Sequence, residues 1–185
     1  MLRPVFLTIA LVLFSLLNGC SRALVDPPTD TPAKIVEKLY RVRIEGKMTG
    51  APTAEELAKL APYLSTDLRT LLEKARQLHD AEAKKFPDEK PPFTEGDLFT
   101  SLFEGPTTAQ VGTQEPAGAG YRVKVQFTYS GAPPSTNWTD TVWLVQENNG
   151  YKISDVEYGG AGEFGNHGTL IANLKSGLAE GAAAP

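Results

Sequence analysis

The clearest hydrophobic pattern in the sequence is a strict alternation along residues 121–129. Apolar or aromatic side chains alternate there with polar ones, which is typical of a strand with one buried face. Two further strand-forming runs follow at Thr139–Glu147 and Tyr151–Tyr158, separated by an Asn-Gly pair that favours a tight hairpin turn. With a first strand at Thr107–Thr113, the C-terminal half is predicted to be an antiparallel meander.

The alternation slips by one position in the last of these strands. Ile153 and Val156 are both apolar but lie three residues apart, so they cannot share one face of a regular strand. An extra residue near Ser154 and Asp155 would restore the pattern. We therefore predict a β-bulge there, and a bulge would also bend the sheet.

Helical spacing replaces alternation in the N-terminal half. Thr31 followed by Pro32 marks a helix start, and the apolar stripe after it predicts a helix to about Glu45. Thr53 and Glu56 form a capping box, which predicts a short second helix.

Two more helices are predicted further along the chain. Ser65 is placed to cap a third helix with a leucine and alanine stripe, which Lys84-Lys85 ends. A last helix is predicted at Thr169–Lys175, with Gly177 as its cap and residues 179–185 as a flexible tail.

The N-terminus has the features of an export signal. Arg3 precedes an apolar run at Val5–Leu17, which is shorter than the roughly 20 residues of a membrane-spanning helix. The run ends just before Cys20, the only cysteine in the chain. The stretch Leu17-Asn18-Gly19-Cys20 resembles the lipobox of bacterial lipoproteins. This resemblance implies cleavage before Cys20 and attachment of acyl chains, palmitate among them, which would hold the protein at a membrane.

The lipobox resemblance also divides the chain and implies a location. Residues 1–19 would be the signal peptide, 20–31 a lipidated tether, and 32–178 a single soluble domain. Because Ser21 is not an aspartate, the expected destination in a Gram-negative cell is the outer membrane, with the domain facing the periplasm.

The charge of the chain argues against nucleic acid as a partner. The formal net charge is -4, and removal of residues 1–19, whose only charge is Arg3, leaves -4 - 1 = -5. A phosphate-binding surface needs clustered basic residues, and the sequence has no such cluster.

The order of helices followed by strands resembles the nuclear transport factor 2-like superfamily, and in particular bacterial lipoproteins of unknown function with that domain. The resemblance is carried by Leu39-Tyr40, Tyr63-Leu64-Ser65 followed by Leu68, Asp97-Leu98-Phe99, and Gly150 to Tyr158. It implies an α+β fold in which N-terminal helices pack on a curved antiparallel sheet of about four strands. The superfamily includes enzymes, ligand carriers and interaction modules, so the fold does not select a function.

Enzymes of this superfamily use an acid or base inside the curved sheet, together with a tyrosine. The residues here that could take such roles are Asp97, Asp155, Tyr121, Tyr129, Tyr158 and His167. Asp155 stands at the predicted bulge and His167 in a glycine-rich loop, which makes them the catalytic candidates. The alternative for Asp155 is a local hydrogen bond to irregular backbone, which requires no chemistry.

Aromatic residues are the candidates for ligand or partner binding. Tyr121, Tyr129, Trp138 and Tyr158 are predicted to line a pocket or contact a partner, with Trp138 exposed beside a proline loop and Trp143 in the core. Glu163 and His167 do not form a convincing metal set, so no metal and no cofactor are predicted.

The sequence thus predicts an envelope lipoprotein whose domain binds a protein or a small apolar ligand without catalysis. Its expected partner is membrane lipid, through acylated Cys20. Two alternatives remain open, an acid/base enzyme of the same fold and a toxin-immunity or inhibitor lipoprotein.

Overall fold

A computed structural model of the chain describes residues 30–148, 150–160 and 165–183. The predicted signal peptide, Cys20 and most of the tether therefore lie outside the described residues. The elements in chain order are α1 Pro32–Gly46, α2 Ala54–Leu60, a 3-10 turn at Ala61–Tyr63, α3 Thr66–Lys85, β1 Thr108–Ala117, β2 Gly120–Tyr129, β3 Thr136–Glu147, β4 Gly150–Glu157 and α4 Leu170–Ala183.

The predicted helix starts are confirmed by their capping hydrogen bonds. The Thr31 hydroxyl accepts from the Lys34 amide at the start of α1, which has proline in its first turn. The side chains of Thr53 and Glu56 exchange hydrogen bonds with each other's backbone at 3.2 and 2.8 Å, as a capping box requires. The Ser65 hydroxyl caps α3.

The four strands form one open antiparallel sheet in the order β1-β2-β3-β4, so the predicted meander is confirmed. The predicted bulge is also present. Trp143 pairs with Asp155 and the next residue, Leu144, pairs with Ile153, which leaves Ser154 as the extra residue. Ile153 and Val156 are consequently both buried.

The core lies between one face of the sheet and the helices. The largest fully buried side chains are Tyr40, Phe99, Phe127, Leu39, Leu60, Leu68, Leu72, Leu144, Ile153, Leu170, Leu174 and Val36. They come from α1, α2, α3, α4, every strand but β1, and the segment that precedes β1. The fold is therefore α+β, with helices covering one side of a four-stranded sheet.

Two element ends differ from the sequence predictions. α4 continues through Gly177 to Ala183, because Gly177 lies inside the helix with its Cα against the ring of Phe93. Residues 179–183 of the predicted tail are therefore helical. β1 reaches Ala117, beyond the predicted strand end at Thr113, and a tight turn with Gly118 at φ +58° joins it to β2.

Within these described residues, no helix has the length and apolar character that crossing a bilayer demands.

Candidate functional site

The segment Asp97–Ser101 is an irregular stretch of buried backbone between α3 and β1. Four of these five residues are buried, and Phe99 has no exposed surface. Each of the five carbonyl groups accepts a hydrogen bond from elsewhere in the chain, donated by Tyr40 Oη, Tyr158 Oη or Asn166. Side chains, and for Ser101 the Asn166 backbone amide, thus replace the strand or helix partners that buried backbone needs.

The two tyrosines act in this arrangement as hydrogen-bond donors. Tyr40 Oη lies 2.8 Å from the Phe99 carbonyl and Tyr158 Oη 2.5 Å from that of Leu98. Burial raises the pKa of Tyr40 well above its ordinary value, and the Asp140 carboxylate raises it further. Burial, followed by the Asp97 carboxylate, likewise raises the pKa of Tyr158. Both hydroxyls therefore keep their protons at neutral pH and remain donors.

Asp140 is the centre of a buried polar cluster beneath this segment. Its carboxylate is fully buried and accepts from the Ser101 amide at 2.8 Å, the Gly159 amide at 2.9 Å and Trp138 Nε1 at 3.1 Å. The Ser101 hydroxyl also donates to it. Asp140 thereby joins β3, the buried segment and the chain that leaves β4.

Arg43 and Asp97 form a second buried pair at the other side of the segment. Arg43 Nη2 lies 3.1 Å from Asp97 Oδ2, with side-chain exposures of 2% and 6%. Nη2 also donates to the Met48 carbonyl at 3.3 Å, and the guanidinium lies over the Phe99 ring at 4.1 Å. The position and plane of the guanidinium are therefore fixed by three contacts.

A cavity of about 390 Å³ adjoins this pair at the C-terminal end of α1. It is lined by Tyr40, Arg43, Ile44, Lys47, Met48, Thr49, Asp97, Glu104, Gly105, Pro106 and Thr107. This volume is within the range of small-molecule sites, which starts at about 300 Å³. We call it the Arg43 cavity and take it as the candidate binding site.

The structure does not bring the six predicted acid, base and tyrosine residues together. Asp97 borders the Arg43 cavity. Tyr121 and Tyr129 lie near opposite ends of β2, about 26 Å apart at 3.3 Å per residue. Tyr121 packs edge-on against Tyr151 at 5.2 Å, far along the sheet from the cavity. His167 is exposed in the loop before α4.

Asp155 contacts backbone amides. Its Oδ1 atom accepts from the Val156 amide at 2.8 Å and from the Ile171 amide, in the first turn of α4, at 2.9 Å. The carboxylate therefore caps α4 from β4, which is the structural alternative set out above for this residue.

We expect Asp155→Ala to lower the free energy of unfolding by about 1 kcal/mol, because the helix loses a capping acceptor. Asp155→Asn keeps an oxygen at the same place and should lose less than half of that amount. Urea denaturation followed by circular dichroism measures both variants. Equal losses in the two variants would show that the charge, and not the acceptor, stabilises α4.

The two tryptophans have environments opposite to those predicted. Trp138 is only 6% exposed, stacks on Phe127 at a centroid distance of 5.4 Å, and donates to Asp140. Trp143 is half-buried on the other face of the sheet, where Nε1 donates to Glu157 at 3.2 Å. The prediction of Trp138 as an exposed partner contact is therefore wrong, since its side chain points into the core.

Metal-binding side chains do not cluster in the described part of the chain. No group of three or more histidine, cysteine, aspartate or glutamate side chains there could hold an ion. Glu163, one of the residues weighed above for such a site, lies outside the described residues.

Comparison with known proteins gives a plain result. No protein-family model, curated protein or solved structure matches the chain.

Sequence reasoning missed Arg43 and Asp140, the two residues that organise the buried polar clusters. Arg43 follows Tyr40 by three positions and Leu39 by four, so it shares the apolar face of α1. Asp140 alternates with Trp138 and Val142, which places it on the inner face of β3. A charged residue in phase with apolar neighbours was the available signal in both cases.

Proposed function

We propose that this protein is an envelope lipoprotein whose nuclear transport factor 2-like domain binds a ligand without transforming it. The attachment rests on the resemblance of Leu17–Cys20 to a lipobox. The fold assignment is supported by the order of three helices followed by a bulged four-stranded meander.

The observation that carries the binding role is the state of the polar groups around the Arg43 cavity. Its buried cation is paired with Asp97, and its buried tyrosine, Tyr40, donates to a backbone carbonyl. An acid/base catalyst needs a group that is free to exchange a proton with a substrate. The Asp97 carboxylate is instead paired with Arg43, and the Tyr40 hydroxyl donates to the Phe99 carbonyl, so neither is a free acid or base, which suits recognition.

Replacement of Cys20 with serine tests the attachment. We expect the wild-type chain to be cleaved before Cys20 and recovered in the membrane fraction, with a mass increase equal to its acyl chains. Cys20→Ser removes the thiol that accepts the diacylglycerol, so the variant should remain an unacylated precursor. Intact-mass spectrometry of both chains expressed in a Gram-negative host makes the measurement. Wild-type protein without lipid would contradict the proposal.

The binding role is tested separately by what the protein carries from the envelope. The full chain, purified from membranes in mild detergent, should release a small molecule of constant stoichiometry on denaturation, detected by mass spectrometry. Ile44→Phe, which reduces the cavity, should abolish this release, whereas Ile171→Phe on α4 should not. Turnover of the released compound on incubation with fresh protein would favour the enzymatic alternative.

A further inference from the structure

Arg43, a residue of the cavity wall, has hydrogen-bond donors that the described residues leave unused. Nε and Nη1 of Arg43 each expose less than 1 Å² and have no hydrogen-bond partner among those residues. The contacts to Met48 and Asp97 both involve Nη2. A guanidinium group carries five N–H donors, so most of its donor capacity is unmatched at a buried position. Such groups normally have a partner, which here points to a ligand.

We infer that the Arg43 cavity binds a small neutral molecule with a carbonyl oxygen on an apolar body, an inference that rests on the proposed binding function. The carbonyl oxygen would accept from Arg43. The apolar body would lie against Ile44, Met48 and Pro106, which line the same cavity. Amides and esters of short acyl chains have this combination.

The charge of the site favours a neutral ligand over an anion. Arg43 is already compensated by Asp97 at 3.1 Å, and the two exposed charges at the rim, Lys47 and Glu104, have opposite signs. A buried carboxylate would therefore add an uncompensated negative charge, which a low-dielectric site disfavours. The cavity also adjoins the C-terminal end of α1, where the helix dipole is negative.

The dimensions of the cavity set the size of the ligand. At about 30 Å³ per non-hydrogen atom, 390 Å³ holds on the order of ten such atoms. Because the unused nitrogens are covered, a side chain of the cavity wall has to move before ligand oxygen reaches them. Met48 is the unbranched, flexible member of that wall, and methionine adapts to irregular shapes at low cost.

The test uses three probes with the same six-carbon chain and different head groups, namely hexanamide, hexanoate and hexylammonium. Each is titrated into the ¹⁵N-labelled full chain in detergent, and the Arg43 Nε–H resonance is followed by NMR. That resonance is identified by its nuclear Overhauser effect to the Phe99 ring, which lies 4.1 Å from the guanidinium carbon. We expect hexanamide to give a saturable downfield shift of the Arg43 Nε–H resonance. Hexanoate and hexylammonium should bind at least tenfold more weakly than hexanamide.

Matched variants separate the cavity from general apolar binding. Ile44→Phe should weaken hexanamide binding at least tenfold, while Ile171→Phe, the same change at a half-buried position on α4, should leave it within twofold. The wild-type titrations decide the result if Ile44→Phe fails to fold.

The outcomes also separate this inference from the proposed function. Hexanoate or hexylammonium binding as tightly as hexanamide would overturn the neutral ligand class and leave a binding role intact. An Arg43 resonance that none of the probes shifts would overturn the cavity as the site. The proposed function fails in a different experiment, if the protein purified from the envelope releases no small molecule on denaturation.

Discussion

Asp140→Asn is expected to lower the free energy of unfolding by about 2–6 kcal/mol. The carboxylate accepts from two backbone amides, an indole and a hydroxyl, and it has no exposed surface. In asparagine, an NH₂ group replaces one carboxylate oxygen. That group is itself a donor, so the donors that this oxygen accepted from would be left without an acceptor. Each buried donor left without an acceptor costs about 1–3 kcal/mol, and two such donors give the range above.

Chemical denaturation followed by circular dichroism measures this loss. Asp88→Asn is the matched control, because Asp88 is exposed in the loop after α3 and the same change there should alter stability by less than about 0.5 kcal/mol. Equal stability of Asp140→Asn and wild type would mean that the Asp140 cluster does not support the fold.

Arg43→Met is expected to lower the free energy of unfolding by about 3–5 kcal/mol, because it leaves the buried Asp97 carboxylate without its cation. Asp97 would keep the Phe99 amide as a donor at 2.6 Å, which offsets part of the loss. The double variant Arg43→Met with Asp97→Asn removes both charges and keeps an oxygen for that amide. The stability loss of the double variant should therefore be smaller than the summed losses of the two single variants, by at least about 1 kcal/mol.

A double-mutant cycle in urea measures this coupling. Arg41→Met, an exposed position on the same helix, controls for the loss of an arginine from α1. Additive effects of Arg43→Met and Asp97→Asn would show that the two side chains do not stabilise each other.

Local patterns were sufficient for the elements whose stability is local. Caps at Thr31, Thr53 and Ser65 can be recognised because donor and acceptor lie within three residues. The bulge at Ser154 was predictable for a similar reason, since a slip in alternation is visible within one strand.

The environment of the tryptophans depends on pairing between strands, which the alternation of β3 alone does not fix. Residues 142–145 are all apolar, so either phase of that strand gives a hydrophobic face. The phase is set by β2, where Val123 pairs with Val142 and Phe127 with Trp138. Trp143 consequently lies on the outer face although its neighbours in sequence are core residues.

The buried segment and the Arg43 cavity were not predictable because their partners are distant in sequence. Phe93 to Phe103 has no helical or strand period, and the donors to the Asp97–Ser101 carbonyl groups come from α1, the residue after β4 and the loop before α4. Nothing within the segment indicates those partners. The candidate residues Asp97 and Tyr158 were identified by type, but their roles became clear only from these contacts.

The contacts of Asp97–Ser101 also bear on how the molecule assembles. Its carbonyl partners are 59 to 69 residues away in sequence, and Asp140 is 39 residues from Ser101. Such contacts close long loops, which delays their formation until the surrounding chain is in place. The segment should therefore form late in folding. Its amide protons should exchange with solvent only when the whole domain unfolds.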